Sequence, residues 1–211
     1  MHYTPLPDTF FSSNPMDVAP ALLGAILVRC STEGVLAARI VEVEAYPGAG
    51  DRGSHCWRGP TPRTEVMFGK PGLAYAYFIY GNYWMLNVVC WPEGQGGAVL
   101  LRGAEPLGGI DLMVERRQRA RATGAPPAGT SATFVPWLLG GPARLAAAFG
   151  VNRTDNGTTL TKPPFFLASG DPVSPKSVRV SRRIGLAAGK GEDLLARFYL
   201  AGSAGVSRVR P

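Results

Sequence analysis

The feature that most constrains this chain is a set of β-type runs folded back on themselves within its first hundred residues. Residues 25–31 are apolar and strand-like, Glu33-Gly34 is a turn pair, and residues 35–44 run as a second strand, which is a hairpin signature. Residues 73–79 and 83–91 flank Tyr80-Gly81-Asn82, and Gly-Asn between two such runs signals a tight turn. A turn at 92–97 leads into one more strand at 98–102. Hairpins impose antiparallel pairing. Helical patterns are short: 17–23, ended by Gly24; 108–121, carrying Arg116, Arg117, Arg119 and Arg121; and 143–149, with Pro142 in the first turn. Short strands are expected at 165–168, 178–180 and 197–200, and loops at 47–66, 122–131 and 150–164. The expected fold is α+β, a single domain over residues 1–211 around a mostly antiparallel sheet.

The sequence has 211 residues, 45% hydrophobic and 18% charged, which suits one buried core and excludes a disordered chain. No run of 18 apolar residues predicts a membrane span, and the start, MHYTPLPDTFF, lacks the pattern of a signal peptide. Cys30, Cys56 and Cys90 are odd in number and widely spaced, so no disulfide framework is expected and a cytoplasmic setting is the default. The net charge of +7 is uneven: residues 1–100 hold six Lys/Arg against eight Asp/Glu, residues 101–211 sixteen against seven. Such a basic half suits a phosphate backbone, and equally a solvated surface with no polyanion partner.

The residues that carry chemistry gather between 42 and 102. Side chains at i and i+2 of a strand share a face, so Glu42, Glu44 and Tyr46 line one side. A carboxylate beside a ring, leading into a long loop, fits an acid–base site in which the ring holds a flat substrate and the carboxylate takes a proton from water. Ordinary glutamates on a solvent-facing strand fit the same pattern. Tyr75 and Tyr77 share a face, and Tyr80 at the turn is either a wedge for another molecule's stack or a ring folded onto its own sheet. His55 in the long loop is a proton donor, a hydrogen-bond donor to a ligand, or an ordinary loop residue. Its neighbour Cys56 gives awkward chelation geometry and no second ligand pair follows, so no metal is expected. Asn87, in phase with Tyr83 and Met85, is a structural hydrogen bonder or a reader of a base edge. Arg102 ends an apolar strand, either paired with a carboxylate such as Glu44 or at the rim. Gly94-Gln95-Gly96-Gly97 is neither a P-loop nor a dinucleotide fingerprint, and no G-x-S-x-G occurs, so no cofactor is expected.

One ordered string of motifs is specific. Arg39-Ile-Val-Glu-Val-Glu-Ala-Tyr46, Thr61-Pro-Arg63, Met67-Phe68, Lys70-Pro-Gly72, Tyr75-x-Tyr77-x-x-Tyr80-Gly81, Asn87, Leu100-Leu-Arg102-x-x-Glu105-Pro-Leu107, Gly141-Pro142-x-x-Leu145, Arg183-x-Gly185 and Arg197-Phe-Tyr199 resemble the mammalian-type alkyladenine (3-methyladenine) DNA glycosylases over nearly the whole chain. The resemblance implies a single mixed α/β domain around a curved antiparallel sheet, with a protruding hairpin. It implies a base-excision-repair enzyme that flips alkylated or deaminated purines from duplex DNA and hydrolyses the N-glycosidic bond without a cofactor. Glu44 corresponds to the general base, and Arg102 and the Ile184 carbonyl to the groups that hold its water. Tyr46, Tyr77 and His55 correspond to the sandwich around the flipped base, and Asn87 to the gate against guanine's amine. Tyr80, with Asn82 beside it, corresponds to the intercalating wedge, and Thr61, Arg63 and Arg144 to regions that touch phosphates. Asn82 departs from the bulkier apolar residue of the mammalian enzymes. A monomer acting at the nucleoid of a bacterium is the expected setting. The alternative, a non-catalytic damaged-DNA-binding module, leaves Glu44 unexplained, because a carboxylate repels phosphate.

Overall fold

The computed structural model describes residues 2–120, 127 and 133–207. Eight strands form one antiparallel sheet: β1 (Ile26–Ser31), β2 (Gly34–Tyr46), β3 (Ala74–Ile79), β4 (Tyr83–Val89), β5 (Ala98–Gly108), β6 (Phe165–Ala168), β7 (Val178–Ser181) and β8 (Arg197–Leu200). The order is β3-β4-β5-β2-β1-β6, with β8 between β2 and β7. Strand β2 is long because two strands share one of its edges: β1 pairs with residues 34–39 and β8 with 42–44. Strand β5 runs along the other edge, over residues 37–46. The sheet curls around this split.

The pairing of β2 with β5 shifts register on both sides of Glu42, leaving Val41 and Arg102 out of the ladder. Such a bulge reverses which residues face which side. Before it, Leu36, Ala38 and Ile40 enter the main core; after it, Val41, Val43 and Ala45 do. Strand β5 switches likewise, from Val99 and Leu101 to Ala104. Glu42, Glu44 and Tyr46 are thereby turned to the face opposite the main core. The helices α1 (Pro15–Ala21), α2 (Ile110–Arg119), α3 (Phe134–Leu139) and α4 (Pro142–Ala148) cover the core face. A smaller apolar cluster, Cys56, Met67, Tyr75, Val89 and Ala98, supports the long loop on the other face.

The expected elements are present, with instructive shifts. Helix α1 begins two residues before residue 17, because the Asn14 side chain accepts from the Met16 amide and Pro15 opens the helix. Strand β5 continues six residues past Arg102, through Pro106. Strand β4 pairs with it only over Ala98–Leu100, so the missing N–H of Pro106 breaks no ladder. Helix α3 had no sequence signal and is an addition. Arg121 and the loop 122–131, Pro127 aside, lie outside the described residues.

At the tip between β3 and β4, Tyr80 and Gly81 both take positive φ, 55° and 68°. Primed hairpin turns require this, and glycine adopts it freely whereas tyrosine does not; a left-handed non-glycine residue costs about 1–3 kcal/mol. The ring is also 76% exposed. The fold itself gains nothing evident from a tyrosine at this position. Tyr80→Asn, whose side chain tolerates positive φ, should therefore leave thermal stability equal or higher. A fall in Tm would show the ring to be a structural part of the turn.

Candidate active site

The alternation of four strands builds the site. Tyr75, Tyr77 and Ile79 of β3, Met85 and Asn87 of β4, Leu100 and Arg102 of β5, and Tyr46 of β2 all face away from the main core. With His55 from the long loop and Ile184, Gly185 and Leu186 from the segment after β7, they enclose a cavity of about 380 Å³. That is within the ~300–1,000 Å³ typical of small-molecule sites. Seven of the residues singled out in the sequence line it: Tyr46, His55, Tyr77, Tyr80, Asn87, Arg102 and Ile184.

Glu44 is fully buried directly behind this wall. Its Oε2 accepts from the Tyr46 hydroxyl at 2.9 Å and from Arg102 Nη1 at 3.1 Å, and its Oε1 from the Ile184 amide at 2.8 Å. Ile184 thus meets the carboxylate through its N–H. Burial drives the Tyr46 hydroxyl's pKa well above its ordinary value, reinforced by the Glu44 charge, so the phenol stays a donor. Tyr77 is pushed up to about 12, chiefly by burial.

Glu42, on the same face, is equally buried but differently engaged. Its Oε1 accepts from Arg102 Nε at 2.9 Å, Arg197 Nε at 2.7 Å and Ser207 Oγ at 2.7 Å, and its Oε2 from the Ser207 amide at 2.6 Å. Burial disfavours its ionised form, but Arg102 and the Ser207 bonds outweigh that and hold its pKa below the ordinary value. Glu42 is a fully satisfied anchor for Arg102. That arginine holds one carboxylate by Nε and the other by Nη1, and the pair raise its pKa despite burial.

The walls have backing of their own. Arg183 lies 4.6 Å from the centre of the Tyr46 ring and forms a buried two-armed ion pair with Asp51, at 2.5 and 2.7 Å. It also donates to the carbonyls of Ala45 and Gly191. One residue thereby ties the end of β2 to the two loops that complete the cavity. Gly53 sits in this junction: a Cβ there would lie 2.6 Å from the Lys190 carbonyl oxygen and 2.8 Å from Arg183 Nη2. The His55 ring meets Tyr77 edge-on at 4.6 Å, and its Nδ1 shares a hydrogen bond with the Tyr75 hydroxyl at 3.0 Å. Desolvation, with Arg63 nearby, lowers the His55 pKa and favours the neutral ring. Asn87 Nδ2 donates to the Tyr75 carbonyl at 3.0 Å while the residue lines the cavity. It is therefore braced by the sheet at a position facing any occupant.

Other expected residues stand apart. Arg63 lies over Tyr77 at 5.6 Å. Thr61 bonds Thr64, and Arg144 donates to the carbonyls of Pro136 and Gly140, along a groove beside Arg102. Asn82 donates to the Tyr80 carbonyl and faces a separate groove along α2. Sequence reasoning missed the Asp51–Arg183 pair. Its partners are 132 residues apart, and only the Arg183-x-Gly185 string hinted at one of them.

Comparison with known proteins places the chain in a family. A protein of Leifsonia xyli is 45% identical over 203 residues, covering 95% of this chain and 90% of its own length. One from Streptomyces avermitilis is 43% identical over 210 residues, with 98% and 92% covered, and one from Koribacter versatilis is 41% identical over 208, with 98% and 94% covered. Each bears the name "Putative 3-methyladenine DNA glycosylase". The profile of the methylpurine-DNA glycosylase family matches residues 9–204, and with nearly the whole length matched, this chain belongs to that family.

Proposed function

We propose that this DNA glycosylase flips alkylated or deaminated purines out of duplex DNA into the aromatic cavity and hydrolyses their N-glycosidic bond with water activated by Glu44. The observation that carries this reading is a fully buried carboxylate held by three donors directly behind an aromatic-walled cavity of about 380 Å³. A stacked base is unreachable, so extrusion is required, and it costs least for damaged or mispaired bases. Tyr46 and Tyr77 stack the extruded base, a contact of about 1–3 kcal/mol per base. Tyr80 fills the gap left in the duplex. Among the described residues Oε1 of Glu44 has a single donor, the Ile184 amide, which leaves it a lone pair for water. That water attacks C1′ and gives its proton to Glu44, while the electron pair of the breaking C1′–N bond leaves with the purine. A purine alkylated on N3 or N7 carries a positive charge and departs neutral, without needing an acid; a neutral lesion such as hypoxanthine departs as the anion and takes up a proton from solvent. Before it takes the water's proton, the Glu44 carboxylate also stabilises the positive charge that develops on the sugar. Asn87, on the cavity wall, disfavours guanine by meeting its 2-amino group.

The test is incubation with a duplex carrying one hypoxanthine, 7-methylguanine or ethenoadenine. The expected products are the free base and a strand that breaks only on alkali treatment. Intact substrate at excess enzyme would leave a DNA-binding role, and strand scission without alkali would point to lyase chemistry.

A further inference from the structure

Much of the positive charge of the basic half is committed to ion pairs. Arg102, Arg116, Arg119, Arg182, Arg183 and Arg197 are each engaged by a carboxylate. The long loop belongs to the half with more acids than bases, yet its exposed Arg52 and Arg58 have no carboxylate partner among the described residues, nor has exposed Lys190 across from them. Between these cations lies Trp57, half-buried, with the Arg58 guanidinium 4.5 Å and the Arg52 guanidinium 5.7 Å from its ring centre. Arg52, Trp57 and Lys190 line a shallow groove of about 310 Å³. The groove adjoins the base cavity: Gly53, His55, Gly185 and Leu186 line both.

We propose that this groove binds the stretch of DNA strand next to the flipped nucleotide, with a neighbouring base on Trp57 and its phosphates on Arg52 and Lys190. The inference rests on the base-pocket reading, because the shared wall makes the strand that enters one cavity pass over the other. An indole between cations is the combination that tracks single-stranded nucleic acid without reading sequence, base stacking supplying affinity and the cations meeting phosphates. Sites committed to structure look different in this protein, as the Asp51–Arg183 pair shows. It follows that the enzyme engages an unpaired strand as well as a duplex.

The test uses the full chain and a short oligonucleotide, single-stranded or duplex, with or without one hypoxanthine. Trp57→Ala should weaken single-strand binding by about 5- to 150-fold, the range for loss of one stacked base. During excision the loss should fall on the half-saturating concentration and not on the saturating rate. Trp57→Phe keeps a stacking face and should retain most of the affinity. Arg52→Gln with Lys190→Gln should flatten the salt dependence by about 0.7 in logarithmic slope per phosphate released. Single-strand binding within twofold of wild type for Trp57→Ala would overturn the proposal, and so would a loss confined to the saturating rate or a Trp57→Phe protein as weak as the alanine variant. Because binding is also read on DNA without a lesion, these failures stand apart from a failure of the Glu44 reading, which shows as absent base release by wild type.

Discussion

Glu44→Gln is expected to abolish base release, by about a thousandfold or more in the single-turnover rate, while DNA affinity stays within a few-fold of wild type. General-base assistance alone contributes about 10²–10⁴-fold, and the lost charge also withdraws support from the developing sugar cation. The substitution preserves shape. The amide cannot accept a proton from water, and it cannot present acceptors to all of Tyr46, Arg102 and Ile184. The fold should persist because Arg102 retains Glu42 as its second carboxylate. Affinity should persist because the side chain is fully buried and touches no surface that meets phosphate. Release at more than a tenth of the wild-type rate would remove Glu44 from the role and turn attention to Glu42, the other buried carboxylate on this face.

Asp51→Asn is expected to damage both stability and catalysis. The side chains of Arg183 and Asp51 are 0% and 4% exposed, so the variant leaves a guanidinium buried without its counter-charge. Breaking one side of a buried pair costs about 3–5 kcal/mol. At about 2–4 °C per kcal/mol for a chain of this size, Tm should fall by about 6–20 °C. The functional loss follows from what Arg183 holds. It backs the Tyr46 ring, and it fixes the segment whose next residue, Ile184, donates to Glu44. Assayed well below the lowered Tm, base release should still fall at least tenfold, with DNA binding much less affected. A Tm within 2 °C of wild type would show the pair to be dispensable, and the loops would need another anchor.

The sequence carried the hairpins and the i, i+2 logic of the site, because strand alternation is a local property. Glu42, Glu44 and Tyr46 do share a face, and Tyr75 and Tyr77 do share another strand's face toward them. The bulge that turns the carboxylates away from the core is not visible in β2 alone, since it depends on the register against β5. The division of labour between two adjacent glutamates was equally hidden. It is set by Arg197 and Ser207, which arrive from 155 and 165 residues away. Net charge was a coarse guide for a related reason. Counting arginines in the second half says nothing of which are neutralised, and pairing is a tertiary fact. The helix start at Pro15, two residues before the expected 17, had a signal that the expectation passed over, since Asn14-Pro15 is a capping signal in the sequence itself.

The most direct measurement of the central claim is a crystal structure of the Glu44→Gln protein bound to a duplex carrying one hypoxanthine. The account predicts an intact nucleotide rotated out of the helix, its purine between Tyr46 and Tyr77 and its C1′ turned toward residue 44 and Arg102. Tyr80 should stand in the vacated stack, with a water molecule held between residue 44 and C1′. A hypoxanthine still stacked in the duplex over an empty cavity, or a purine seated with its sugar facing away from residue 44, would contradict it.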